Sequence, residues 1–136
     1  MQRQLNLFRG KRQRGERPPT AKELALHMAL EQLLLHDCSP FWRYTHIPSG
    51  ELRDKRTAAK LKAMGVKPGW PDFMFVGPRQ MFFLELKRAG EKPSDEQDAI
   101  GLHIISCGFG WLWTSSLEDA VATLKQLGIV RATVSA

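Results

Sequence analysis

The centre of the chain is the run Pro71-Asp72-Phe73-Met74-Phe75-Val76, the tetrad Gly77-Pro78-Arg79-Gln80, and Met81-Phe82-Phe83-Leu84-Glu85-Leu86-Lys87. Two apolar stretches of strand length flank a tetrad that contains Gly and Pro, which reads as a β-hairpin. A turn symmetric about Pro78 and Arg79 sets Gly77 opposite Gln80, Val76 opposite Met81 and Asp72 opposite Glu85. Directly opposed residues of an antiparallel pair share a face, with Cβ atoms roughly 5 Å apart. Lys87 lies two residues past Glu85 and points the same way. A slip of one residue would send Glu85 to the other face, so the whole reading depends on register.

Two carboxylates held together on a strand repel each other unless a divalent cation lies between them. Hard oxygen ligands with room for water suit Mg²⁺, or Mn²⁺ in its place. A lysine beside such an ion can orient a water, help deprotonate it, or stabilise charge on a phosphate. These parts together suit phosphodiester hydrolysis. Taken alone, Glu-x-Lys on a strand is more often a solvated face. Pro71-Asp72 ahead of it, and the apolar Phe82, Leu84 and Leu86 on the opposite face, favour the site.

Pro71-Asp72, a spacer and Glu85-Leu86-Lys87 resemble the PD-(D/E)XK nuclease superfamily. The longer run Gly65-Val66-Lys67-Pro68-Gly69-Trp70-Pro71-Asp72, with Leu84-Glu85-Leu86-Lys87 and Pro93-Ser94-Asp95-Glu96-Gln97, resembles its VRR-NUC branch, the virus-type replication-repair nucleases of stand-alone phage and bacterial type. The resemblance spans roughly residues 23–124. It implies a metal-dependent endonuclease acting on branched DNA, most simply a homodimer resolving four-way Holliday junctions in repair or recombination. A two-fold dimer would supply two cuts. Flap or nicking activity, or a non-catalytic DNA-binding module on the same fold, are the alternatives. In the roles implied, Asp72, Glu85 and the backbone carbonyl of Leu86 hold Mg²⁺ (or Mn²⁺). Lys87 positions the water, and Gln97 orders it. Glu23 completes the site from the first helix, with Glu31 as its rival.

Charge agrees with a polyanionic partner. The net charge is +6 over 136 residues. Residues 1–17 contribute +5 through six basic residues, Arg12 and Arg14 among them, against Glu16. Residues 51–67 contribute +4. Basic clusters beside a carboxylate site are the electrostatic footprint of nucleic-acid binding. Arg53, Lys55, Arg56, Lys60, Lys62, Lys67 and Arg88 are the candidate phosphate contacts near the site, and Arg12 and Arg14 those on the arm. No apolar run approaches the ~20 residues of a membrane span, and the N-terminus is too polar for a secretory signal. Cys38 and Cys107 have no metal-site spacing and read as buried, reduced thiols, so a cytoplasmic setting in a bacterial or phage-infected cell is expected.

In chain order, residues 1–20 form a basic arm too poor in apolar residues to build a core. One domain follows over 21–130, with a tail at 131–136. Thr20 and Glu23 form a capping box for a helix to about His36. Its apolar face is read as Leu24, Met28, Leu35 and neighbours, with Glu23, His27 and Glu31 on another stripe. Residues 41–46 read as a strand. His46 and Arg53 flank a loop, and a helix over 55–64 turns Ala58, Ala59, Leu61 and Met64 inward. Gly65 stops that helix. Gly69 is read as a point of close DNA approach, and Trp70 as half-buried. Ser94 caps a helix that Gly108 ends, residues 109–113 form a buried strand, and a last helix runs from Leu117 to Leu127. Apolar residues of the arm, or Trp111, Trp113 and the C-terminal segment, are candidate dimer contacts. The sum is an α/β fold, a restriction-endonuclease-like αβββαβ core with a mixed central sheet flanked by helices.

Overall fold

The computed structural model describes residues 21–49 and 54–132. The elements are α1 (Ala21–Asp37), β1 (Arg43–His46), α2 (Lys55–Ala63), β2 (Phe73–Gly77), β3 (Gln80–Leu86), α3 (Asp95–Ser106), β4 (Gly110–Thr114) and α4 (Leu117–Gln126). The strands form one sheet in the order β1-β2-β3-β4. β1–β2 and β2–β3 are antiparallel, and β3–β4 is parallel. A parallel pair needs a crossover, and α3 supplies it. This is an αβββαβ core with α2 inserted, the restriction-endonuclease-like arrangement expected. The arm, the Thr20 cap, Arg12, Arg14 and Arg53 lie outside the described residues.

The hairpin register is the symmetric one. Gly77 pairs with Gln80, Val76 with Met81 and Phe73 with Leu84. Proline fixes its own φ near −65°, and Arg79 accepts the positive φ (60°) that closes the two-residue turn. Gly77 is required here, because a Cβ would stand 2.5 Å from the ring of Trp42.

Alternation along β2 and β3 divides the protein into two layers. Phe73, Phe75, Phe82, Leu84 and Leu86 face a core closed by Leu30 and Leu34 of α1, Ala120 and Leu124 of α4, and Ile129. Phe83 and Glu85 point to the other face, where α3 packs on β4 and its Gln97 meets Glu85.

Several local expectations are corrected. In α1 the buried stripe is Leu30 and Leu34, with Leu26 and Leu33 half-buried, whereas Leu24, Met28 and Leu35 are 55%, 49% and 62% exposed. The helix is apolar on two stripes, so sequence periodicity does not decide which one the sheet selects. α2 has no buried residue; Ala58, Ala59 and Met64 are exposed, and Leu61 alone is half-covered. Asp54 caps this helix by accepting from the Thr57 amide. β4 is an edge strand, and its Trp111, Leu112 and Trp113 are half-buried. Trp111 packs on Gly101 of α3, and the most exposed large apolar side chain among the described residues is Phe41. Cys38 is half-buried and Cys107 exposed, so buried thiols are not what the fold provides. No helix among the described residues is long and apolar enough to cross a membrane.

Candidate active site

Asp72 is fixed at the end of the sheet from both neighbouring strands. Its carbonyl oxygen accepts from the Ile47 amide at 2.7 Å and lies 2.7 Å from His46 Nδ1, which ties it to the end of β1. Its Oδ2 accepts from the Leu86 amide at 2.7 Å, which ties it to the end of β3. The hairpin pairing, continued one residue beyond Phe73 and Leu84, sets Asp72 opposite Glu85. The two carboxyl groups interact directly. Burial raises the Asp72 carboxyl above its usual range, against the Leu86 amide, His46, Lys87 and the hydrogen bond with Glu85, which act to lower it.

Glu85 is only 4% exposed. A buried carboxylate is costly unless paired or hydrogen-bonded. Lys87 Nζ stands 3.7 Å from Glu85 Oε1, and Gln97 Nε2 donates to the same oxygen at 3.1 Å. The α3 N-terminus aims that amide. Ser94 Oγ accepts from the Gln97 amide, and Gln97 Oε1 accepts from the Ser94 amide at 2.8 Å. This capping box holds the carboxamide oxygen and leaves its NH₂ toward Glu85. Gln97 is therefore both a capping residue in the first turn of the helix and a direct partner of Glu85.

Glu23 reaches the same end of the sheet from α1. Its Oε1 accepts from the Arg88 amide at 3.3 Å, one residue beyond Lys87. Glu31 lies on another part of α1 and accepts from Tyr44 Oη at 3.3 Å. Of the two rivals, Glu23 is the one beside the site. Burial, reinforced by Glu31, pushes the Tyr44 phenol up to about 12 from its ordinary 10. Tyr44 is the single tyrosine of the chain, so phenolate absorbance titrates it alone. The expected midpoint is about 12, falling toward the ordinary value in Glu31→Gln. An ordinary midpoint in the wild type would show that the pair does not form.

The surroundings sort the remaining candidates. Lys55, Arg56, Lys60, Lys62 and Lys67 are all exposed, on α2 and the loop after it. Arg88 Nε is paired with Glu91 at 2.7 Å, which competes with a phosphate role. Gly69 does not mark an approach for DNA. It is buried, and a Cβ there would stand 2.9 Å from the Glu96 carbonyl, so its smallness seats the loop on α3. Trp70 is half-buried, as expected, with its ring 6.4 Å from that of Phe83. From sequence, His27 shares the Glu23 stripe and His46 can reach the site from its loop, but both read first as structural or positioning residues. A ring nitrogen of each and an Asp72 carboxylate oxygen all lie within 4.8 Å of one another. The signal available was the four-residue step from Glu23 to His27, which places both on one helix stripe.

Comparison of the chain with protein-family models, with curated proteins and with solved structures gave no match.

Proposed function

We propose that this chain is a divalent-metal-dependent endodeoxyribonuclease that hydrolyses phosphodiester bonds in branched DNA. The observation that carries the reading is the Asp72–Glu85 pair, held face to face at the sheet end with Lys87 3.7 Å from Glu85. No fold needs two neighbouring carboxylates in a partly dry site for stability, since burying like charges is unfavourable. The donor set fits a hard cation: two carboxylates, with the Leu86 carbonyl as the further oxygen. Mg²⁺ or Mn²⁺ bound there would polarise the phosphate and make water a better nucleophile.

The protein's own groups then have distinct tasks. Asp72 and Glu85 supply negative charge at fixed positions. The Leu86 amide and the Gln97 carboxamide hold those charges in orientation. Lys87, whose side chain is 14% exposed, sits where it can hold a water and offset charge developing on a phosphate oxygen. Glu23 steadies the strand exit through the Arg88 amide. The exposed cations of α2 would meet the phosphate backbone, which gives affinity without sequence reading. Four-way junctions and a homodimer are the preferred substrate and assembly. The exposed Leu24, Met28, Leu35 and Phe41 are better interface candidates than Trp111, which α3 already covers.

The test is cleavage of labelled four-way junction, flap, splayed-arm and duplex DNA in Mg²⁺, Mn²⁺ or EDTA, wild type beside Lys87→Ala. The expected result is paired nicks on the junction, abolished by EDTA and reduced about 10²–10⁴-fold in the variant, the range for a lost proton-transfer group. Preferential cutting of flaps would keep the site and change the substrate. Binding without cutting under every metal condition would replace the enzyme with a binding module.

A further inference from the structure

We propose that His27, His46 and Asp72 form a binding site for a divalent first-row transition-metal ion of the zinc class, adjacent to the Asp72–Glu85 pair and sharing Asp72 with it. The inference stands on geometry and holds whether or not the chain cuts DNA.

His46 pairs with Phe73 in the β1–β2 ladder, so it lies on the α1 face of the sheet. Glu85 lies on the α3 face. Asp72 stands at the sheet end between them, close to the two imidazoles on one side and to Glu85 on the other. The three candidate ligands come from α1, the end of β1 and the entry to β2, elements joined by packing and by the sheet. Sites on rigid elements need little rearrangement to bind.

The His46 tautomer is fixed by its surroundings. Its Nδ1 is 2.7 Å from the Asp72 carbonyl oxygen. A carbonyl oxygen only accepts, so Nδ1 carries the hydrogen, and the lone pair of the neutral ring is on Nε2. A histidine that donates one ring N–H to a carbonyl and ligates through the other nitrogen is the usual arrangement in metal sites. His27 is also positioned. It stacks on Phe73 at 4.6 Å and 29°, and meets His46 edge-on at 4.4 Å and 84°. All three residues are half-buried, so water can still reach an open coordination position.

Ligand type decides the ion. Two imidazoles and one carboxylate suit zinc-class ions, whereas Mg²⁺ prefers oxygen alone. Zinc bonds of about 2.0–2.1 Å in tetrahedral geometry place ligand atoms about 3.4 Å apart. One nitrogen of each ring and an Asp72 carboxylate oxygen lie within 4.8 Å of one another, so side-chain torsions can bring one donor atom from each residue around a single ion.

Co²⁺ is the probe, titrated into the full chain in a Cys107→Ser background. That substitution removes a competing pair, since Cys107 Sγ lies 3.6 Å from His103 Nε2. The expected result is one Co²⁺ per chain with nitrogen-ligand visible bands, displaced by Zn²⁺ but not by Mg²⁺. Loss of an outer partner alone typically weakens a metal site 10–100-fold, so His27→Gln and His46→Gln should each weaken binding by about 100-fold. Glu85→Gln should retain it. Independently of any variant, the Co²⁺-loaded chain should show two solvent-exchangeable imidazole N–H resonances with paramagnetic shifts. Binding unchanged in both histidine variants, an all-oxygen spectrum, no stoichiometric binding, or loss equally severe in Glu85→Gln would overturn the site.

Discussion

Asp72→Asn is expected to abolish cleavage and, in EDTA at neutral pH, to raise the melting temperature. The two effects have one cause. Asparagine keeps the shape of aspartate and an oxygen to accept from the Leu86 amide, but it brings no charge into a half-buried position beside the buried Glu85. The sign follows from linkage. Burial raises the Asp72 carboxyl in the folded state, so the folded chain holds that proton more tightly than the unfolded one. Stability is then highest below the ordinary carboxylate range, falls as pH rises through the folded-state value, and stays low at neutral pH. A carboxamide has nothing to titrate, so the variant escapes that part of the decline. Divalent metal should raise the melting temperature of the wild type, because only the folded chain binds it, and should do so far less in the variant. Several kcal/mol of lost charge stabilisation corresponds to about 10³-fold or more in rate. Retained cutting would remove Asp72 from the chemistry. A melting temperature at or below that of the wild type in EDTA would show that the carboxylate costs the fold nothing.

The hairpin was legible because its information is local. A two-residue turn fixes register, and register fixes which side chains share a face, so Asp72, Glu85 and Lys87 followed from counting. Ser94 was legible as a cap for a similar reason, whereas the place of Gln97 in the capping box shows only in the structure. What escaped the sequence needed the third dimension. α1 carries apolar residues on two stripes, and only packing into the sheet core selects Leu30 and Leu34 over Leu24 and Met28. Gly69 looked like a concession to a ligand and is a concession to the Glu96 backbone. His27 and His46 lie nineteen positions apart in the chain, and no spacing rule predicts that their rings meet at 4.4 Å. Glu23 and Glu31 share a stripe and could be separated only once their acceptor contacts, to Arg88 and Tyr44, were known.

Gln97 offers the second large effect, because its two roles respond differently to two substitutions. Gln97→Leu removes the acceptor for the Ser94 amide and the donor to Glu85 together. A hydrogen bond to a charged group contributes about 1.5–3 kcal/mol and a neutral one about 0.5–1.5 kcal/mol. The variant should therefore lose about 2–4.5 kcal/mol of stability, and added metal should restore little of the helix-cap share. Gln97→Glu keeps a capping-box acceptor but turns the donor into a third carboxylate facing Glu85, at a position 7% exposed. Such a group resists ionisation, so its folded-state value rises and the added destabilisation appears as pH climbs above the ordinary carboxylate range. The same three carboxylates should hold Mn²⁺ more tightly, so Mn²⁺ should recover most of the lost stability in Gln97→Glu. Thermal melts across pH, in EDTA and in Mn²⁺, read both variants. Equal metal rescue in the two would mean that Gln97 acts only as a helix cap, and that its contact with Glu85 does not shape the carboxylate pair.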